Sequence, residues 1–220
     1  MFPLRSSHDL TRFPRATTGL VLGWLGADLV SRVWPGSRTE LLPQFAFIPA
    51  HPSLRALGAL VLHSHLFALA VSVLFAWVFT PVLFERRPVW TWFVGLSGAL
   101  LALSLFALVH PTSEVPVLAP EAFLGALLGA FLFRDIWGSV STLVLGLGWL
   151  RILEVPSYVL FFFWLFYLFL GNLFLRAPFA DAPMLYFIPL IATLWGFGLE
   201  SIRNGFGRFS SRDRVPRPRA

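Results

Sequence analysis

Six long apolar segments constrain what this chain can fold into more than any other feature of its sequence. Each is close to the roughly 17–25 predominantly apolar residues that a helix needs to cross a bilayer. The segments cover residues 17–34, 56–79, 89–109, 117–133, 156–175 and 184–200. They predict an all-α fold, a polytopic membrane protein built as a bundle of six transmembrane helices.

The composition of the chain supports the same class. Of its 220 residues, 57% are hydrophobic and 13% are charged, and a soluble domain of this size could not bury so much apolar surface. The chain contains no cysteine, which excludes a disulfide framework, a thiol nucleophile and a thiolate metal site. Its sequence also has no Gly-rich phosphate loop, no metal-binding motif and no nucleic-acid motif, so we predict neither a metal nor a cofactor.

The arginines predict the orientation of the bundle. If both termini face the cytoplasm, 13 of the 17 basic residues lie inside and four lie outside, namely Arg32, Arg38, Arg55 and Arg176. This bias follows the positive-inside rule and favours a lipid bilayer over nucleic acid as the partner of the basic residues. We predict a multi-pass protein of the bacterial cytoplasmic (inner) membrane in three parts. These are a cytoplasmic basic N-terminus at 1–16, a membrane domain at 17–202 and an Arg-rich cytoplasmic tail at 203–220.

The stretch between the fourth and fifth segments, residues 138–154, stands outside this bundle. It is amphipathic and is interrupted by Gly146 and Gly148, so we expect it to lie at the membrane interface. Counting it as a seventh span would place the Arg-rich tail outside, against the positive-inside rule.

Small residues recur at four-residue spacing in the fourth apolar segment. Ala122 and Ala126 form one stripe, and Gly125 and Gly129 form the next. Such stripes let another helix approach closely, although a GxxxG pattern also arises by chance in an Ala/Gly/Leu-rich run. We predict that these four residues are helix-packing positions. Glu121 stands at the head of the segment, where the helix dipole stabilises a carboxylate.

Three stretches follow one another in an order that resembles a known family. They are FAFIPAHPSLRAL at 45–57, VLHSHLFALAVSVLFAWVFTPVLFERR at 61–87 and EVPSYVLFFFWLFYLFLGNL at 154–173. In this order they resemble the first outer loop, second span and fifth span of the bacterial rhomboid intramembrane serine proteases. His63 matches the first His of the second span. The resemblance implies a rhomboid-like six-helix bundle whose fifth helix is where a substrate helix approaches.

The residues that would carry rhomboid catalysis are replaced. Active members begin the fourth span with Gly-x-Ser-Gly, and a His in the sixth span is the base. Laid on this sequence without gaps, the Ser position is Glu121 and the His position falls near Pro189. The second His and the Asn of the second span are replaced by Ala68 and Ser72. Because no histidine follows His110, no base can come from the sixth segment, and the resemblance implies a pseudoprotease-like relative and not an enzyme.

A binding function is the prediction that remains. The protein would hold transmembrane partners as a scaffold or as an accessory subunit of a larger membrane complex, such as a respiratory or photosynthetic one. The candidate partner face is on the aromatic fifth segment, with Tyr158, Phe161, Trp164 and Tyr167. Aromatic residues supply much of the binding energy at interfaces, although in lipid they can simply face acyl chains.

An active protease with a displaced site is one alternative. Residues 95–98 in the third segment read Gly-Leu-Ser-Gly, so Ser97 could act as nucleophile with His63 or His65 as its base. Small residues that pack two helices together explain the same pattern without any chemistry.

A transporter or proton-path subunit is the other alternative. Asp28 and Glu121 fall inside apolar segments, where charge is costly and often functional. They could instead lie near span ends and contact water or arginine. His63 or His65 could each contact a haem or a pigment, but no attachment motif accompanies them.

Overall fold

The computed structural model describes residues 2–6, 14–33, 44–146, 149–174 and 187–212. In these ranges a 3₁₀ helix covers Leu54–Leu60. The α-helices are α1 (Arg15–Val33), α2 (Leu66–Arg86), α3 (Pro88–Val109), α4 (Pro120–Asp135), α5 (Ser157–Phe174) and α6 (Phe187–Arg212). Each overlaps one of the predicted apolar segments.

Local sequence sets several helix boundaries. Pro88 and Pro120 occupy the first positions of α3 and α4, where a helix does not need the missing N–H group. At the start of α2, Nδ1 of His65 accepts a hydrogen bond of 2.9 Å from the N–H of Ala68. This cap places the start of α2 about ten residues later than the apolar pattern predicts, and the helix continues through Pro81.

The predicted six-span bundle is wrong. Among the described residues, two helices are long and apolar enough to cross a membrane: Leu66–Glu85 and Pro88–Val109. The 16 residues of α4 extend for about 24 Å at 1.5 Å per residue, which is shorter than the roughly 30 Å hydrocarbon core. In α5 the described apolar stretch is Ser157–Leu170, and α1 carries Asp28 among its apolar residues. An apolar segment therefore predicted a helix correctly without establishing that the helix spans a bilayer.

The all-α class is also wrong, because the described residues include a three-stranded antiparallel sheet. Its strands are β1 (Phe2–Ser6), β2 (Ser139–Gly146) and β3 (Trp149–Pro156). They are arranged in the order β1-β2-β3, with β2 in the centre. Residues 138–154, which we expected to be amphipathic and to lie at the membrane interface, thus fall mainly in a hairpin of β2 and β3. Its strands are paired from Ser139↔Pro156 to Gly146↔Trp149.

Gly146 in this stretch is the last residue of β2 and does not break a helix. Aliphatic and β-branched residues on both sides of residues 146–148 are typical of two short strands joined by a tight connection. Val140 pairs with Val155, and both side chains are buried in the hydrophobic core. At the end of β3, Ser157 binds the carbonyl of Gly138 through its backbone N–H at 2.7 Å and its hydroxyl at 3.0 Å, which joins the hairpin to the start of α5.

The core of the described structure surrounds α4. Every residue from Ala122 to Leu132 is buried. α4 runs parallel to α6, since Gly125 lies against Pro189 and Arg134 against Glu200. It runs antiparallel to α3, where Gly98 lies against Ala126.

Candidate functional site

The predicted packing positions of α4 lie at its contact with α6. A methyl group on Gly125 would come within 2.6 Å of the Pro189 carbonyl oxygen and 3.1 Å of the Trp164 ring. Gly129 lies directly against the backbone of Thr193.

The same contact continues on the α6 side and around α4. Gly196 lies directly against the backbone of Ala126. Ala122 and Ala126 are fully buried. The backbones of α4 and α6 therefore touch without intervening side chains, the geometry that stripes of small residues permit.

The four positions that replace rhomboid catalytic residues contain no nucleophile–base pair. The Pro189 carbonyl accepts a hydrogen bond of 2.8 Å from Thr193 and faces Gly125. The Ser72 hydroxyl is buried without a hydrogen-bond partner. Ala68 carries no functional group, and Glu121 lies partly exposed in the first turn of α4.

The alternative nucleophile, Ser97, is occupied by a structural contact. Its Oγ accepts a hydrogen bond of 3.0 Å from Nε1 of Trp195 on α6 and lies 3.3 Å from the Val94 carbonyl oxygen. Neither ring nitrogen of His63 has a hydrogen-bond partner, so His63 is not paired with Ser97, and Nδ1 of His65 caps α2. This arrangement does not activate a serine nucleophile.

His63 lies in a buried polar cluster with Trp24, Asp28 and Arg32, which we call the His63 cluster. The His63 ring contacts the Trp24 ring edge-to-face at 5.3 Å, and Nε1 of Trp24 donates to the Leu60 carbonyl at 3.1 Å. The carboxylate of Asp28 is buried and forms an ion pair with Arg32 one turn later. A proton path through Asp28 would have to break this pair.

Burial lowers the pKa of His63 to about 4, because it disfavours the charged ring. The negative charge of Asp28 opposes this shift, while His65 and Arg32 reinforce it. His63 is therefore neutral near pH 7 in the folded protein, with both ring nitrogens enclosed by the chain.

We expect stability to fall in mild acid because of His63. Its folded pKa of about 4 lies below the ordinary value of 6.5, so protons bind preferentially to the unfolded chain. The contribution is complete above pH 6.5 and is lost as the pH falls toward 4, at up to about 1.4 kcal/mol per pH unit. Unfolding measured between pH 7 and 5 should show this slope, and His63→Phe should flatten it. The same substitution at exposed His51 should leave the slope unchanged, and a slope that survives His63→Phe would exclude this cause.

A second buried polar cluster, which sequence reasoning missed, lies at the opposite end of α2. Glu200 on α6 is 1% exposed and accepts hydrogen bonds from Nε of Arg134 at 2.7 Å and Nε1 of Trp90 at 2.8 Å. Arg203 adds an ion pair at 3.5 Å, and Asn204 donates to Glu200 at 3.3 Å. These five residues, the Glu200 cluster, connect α3, α4 and α6.

The sequence contained a signal for this cluster. Arg134 and Glu200 each close an apolar segment and have opposite charge. Read only as topology markers, such residues are assigned to the membrane surface, although two helices that end on the same side can pair them.

The predicted partner face of α5 is only partly available. Trp164 is fully buried against α4, which corrects its assignment to a partner surface. The other three residues are half-buried: Tyr158 contacts Trp137, Phe161 stacks on Trp164, and Tyr167 contacts Phe67.

The exposed side of α5 carries a different set of aromatic residues. They are Phe162, Phe163, Phe166 and Phe169, which are 47–63% exposed. We call them the phenylalanine face of α5. They alternate with the buried stripe of Leu160, Trp164 and Leu168, as expected of a helix that packs on one side.

The comparisons with known proteins supply no family. No family model, curated protein or solved structure matches the chain. The resemblance to rhomboid proteases therefore has no support beyond the sequence stretches that suggested it. Among the described residues, no group of three or more His, Asp or Glu side chains is placed to hold a metal ion.

Proposed function

We propose that this chain is an integral membrane protein that binds a transmembrane helix of a partner through the phenylalanine face of α5, without catalysis. The single observation that carries the proposal is this face, an uncharged surface of exposed phenylalanines. In water it would be an aggregation-prone patch. In a bilayer it is available to lipid or to another helix.

The exposed sides of the other helices support membrane integration. Large apolar side chains are exposed along α1, α2, α3 and α6, among them Leu22, Phe67, Leu108 and Leu194 at 60–75%. The α2–α3 hairpin supplies two helices of sufficient length and hydropathy. The chain would span the inner membrane through at least this hairpin.

The described arginines favour one orientation for the hairpin. Arg15, Arg87, Arg134 and Arg203 all belong to the end that contains the Glu200 cluster. At the other end Arg32 is paired with Asp28, and Arg55 belongs to the 3₁₀ helix that precedes α2. The positive-inside rule then places the Glu200 cluster on the cytoplasmic side.

The composition of the α5 face favours a protein partner over lipid alone. Within residues 157–170, the part of α5 whose side chains the structure describes, the exposed large residues are all phenylalanine, whereas those of α1 are leucine and valine. A phenylalanine side chain has two torsions and offers a large, rigid contact area, so ordering it at an interface costs little entropy. Helices associate in lipid through such packing contacts. The partner would be a transmembrane helix of a larger membrane complex.

A photo-crosslinking experiment in native membranes tests this function. A photoreactive phenylalanine analogue at Phe162 or Phe166 should form an adduct with a discrete partner protein. The same analogue at Leu25 or Leu29, exposed on α1, is the matched control and should crosslink to lipid. Lipid adducts alone at the α5 positions, or the same protein adducts from both helices, would contradict a partner-binding role for α5.

A further inference from the structure

The phenylalanine face of α5 contains a straight ridge of exposed rings. The ridge consists of Phe162, Phe166 and Phe169, which are 54–63% exposed. They follow one another at intervals of four and then three residues, so they lie on one side of the helix and extend about 10.5 Å along its axis. A helix that packs on this ridge needs a surface with room for three rings at those intervals.

The exposed side of α1 offers such a surface. Gly19, Gly23 and Gly26 are exposed, and they too follow one another at intervals of four and then three residues. Nothing from the rest of the described chain lies within 4 Å of the position that a methyl group would take on any of them. We call these three residues the glycine line of α1. Its length and its spacing equal those of the phenylalanine ridge.

α1 and α5 begin at the same end of the protein and run in the same direction. Thr17, near the start of α1, is hydrogen-bonded to Thr80, near the end of α2, at 2.8 Å. Ser157, the first residue of α5, binds the carbonyl of Gly138 just after the end of α4. Both helices therefore start at the end that contains the Glu200 cluster.

The ridge and the glycine line also lie at similar distances from that end. Gly19 is four residues after the start of α1, and Phe162 is five residues after the start of α5, which differ by about 1.5 Å along a helix axis. Copies in one membrane share an orientation, because the same basic residues direct the insertion of each. α5 of one copy can therefore lie parallel to α1 of another, with the three phenylalanines opposite the three glycines in order.

We propose that the helix bound by the phenylalanine face is α1 of a second copy of this chain, with the ridge packed against the glycine line. The inference rests on the proposed function, because it names the transmembrane helix that this face binds. Ridges of one helix pack into grooves of another. A glycine lets a phenyl ring reach the facing backbone, which adds dispersion contacts in lipid. Neither the ridge nor the glycine line contains a charged residue, so the contact leaves no charge without a partner.

This contact joins two different surfaces and is therefore heterologous. Each copy would keep one α1 surface and one α5 surface for further copies, so the contact builds a ring or an open row. Leu25 and Leu29 lie about a quarter to a third of a turn around α1 from the glycine line, and they face lipid in this arrangement.

Disulfide crosslinking of two co-expressed full-length versions in native membranes tests the contact. One version carries Gly23→Cys, the other carries Phe166→Cys, and the two have different epitope tags. The chain has no natural cysteine, and a disulfide requires Cα atoms about 4.4–6.8 Å apart. Mild oxidation should therefore give a mixed dimer from this matched pair. The pair Gly19→Cys and Phe169→Cys is out of register by about 10 Å and should give none.

A side chain on the glycine line should abolish the mixed dimer. Gly26→Leu, added to the Gly23→Cys version, occupies the place of the Phe169 ring and should reduce the mixed dimer to the level of the mismatched pair. Gly205→Leu on α6 is the matched control, because Gly205 is also exposed with nothing within 4 Å, and it should leave the mixed dimer unchanged. Neither substitution places a Cβ against the described chain, so both variants should fold.

Three results would overturn the contact between copies. They are a matched pair that gives no more mixed dimer than the mismatched pair, a mixed dimer that survives Gly26→Leu, and a disulfide dimer of the Phe166→Cys version alone, which would indicate a symmetric contact of two α5 helices. Photo-crosslinking from Phe166 separates this failure from a failure of the proposed function. An adduct with a different protein contradicts only the second copy as partner, whereas lipid adducts alone contradict both.

Discussion

Gly129→Ala is expected to destabilise the protein by about 3 kcal/mol, the upper end of the usual cost of overpacking a core. The added methyl group would overlap the backbone carbonyl of Thr193. A backbone atom cannot rotate away as a side chain can, so α4 and α6 would have to separate and lose dispersion contacts along their length. Gly196→Ala should have a similar cost, because its methyl group would overlap the Ala126 carbonyl.

Reversible unfolding in detergent measures this effect, and Gly23→Ala is the matched control. Gly23 lies on α1 with nothing within 4 Å of the position a methyl group would take. There the substitution should be neutral or stabilising by up to about 1 kcal/mol, the helix propensity gained over glycine. Equal effects at Gly129 and Gly23 would contradict the close contact of α4 and α6.

Glu200→Gln is expected to destabilise the protein by about 3 kcal/mol, the lower end of the cost of breaking a buried ion pair. The amide keeps the shape of the side chain but removes the negative charge beside Arg134 and Arg203, whose side chains are 17% and 19% exposed. Two arginines would then share a partly desolvated site without a counter-ion. The loss should appear as a lower unfolding free energy, with the fold otherwise kept.

Two further variants separate this cause from a loss of shape. Glu154→Gln changes an exposed carboxylate and should cost less than about 0.5 kcal/mol. Combining Glu200→Gln with Arg134→Met removes one of the uncompensated charges and should recover part of the stability. If the double variant is less stable than Glu200→Gln alone, the ion pair is not the source of the effect.

The helices could be predicted from the sequence. The hairpin of β2 and β3 could not be predicted from the helical period. Six apolar segments located six helices, because each of these helices buries apolar residues and such residues form apolar segments in the sequence. The stretch with Gly146 and Gly148 was interpreted by the helical period, whereas its short aliphatic runs on either side of the glycines fit strands of a hairpin. Whether a helix spans a bilayer depends on its length as well as its hydropathy, and α4 is too short by that criterion.

The site was less predictable because its contacts are distant in sequence. Arg134 and Glu200 are 66 residues apart, and Trp90 and Glu200 are 110 apart, so no local spacing brings them together. Trp164 could not be assigned to the inside or the outside of α5 from an all-aromatic segment, since periodicity is lost when every position is apolar. The exposed phenylalanines became distinct only once the buried stripe of α5 was known.

Cysteine accessibility tests the central claim of membrane integration most directly. The chain has no cysteine, so a single Val89→Cys or Glu114→Cys reports one position. Both residues are exposed; Val89 lies in the first turn of α3, and Glu114 lies in the loop that follows its last residue, Val109. The protein should stay in the membrane pellet after alkaline carbonate extraction. A membrane-impermeant maleimide should label Cys at position 89 only from the cytoplasmic side and at position 114 only from the outside. Release of the chain into the carbonate supernatant, or labelling of both positions from the same side, would contradict a hairpin that spans the membrane.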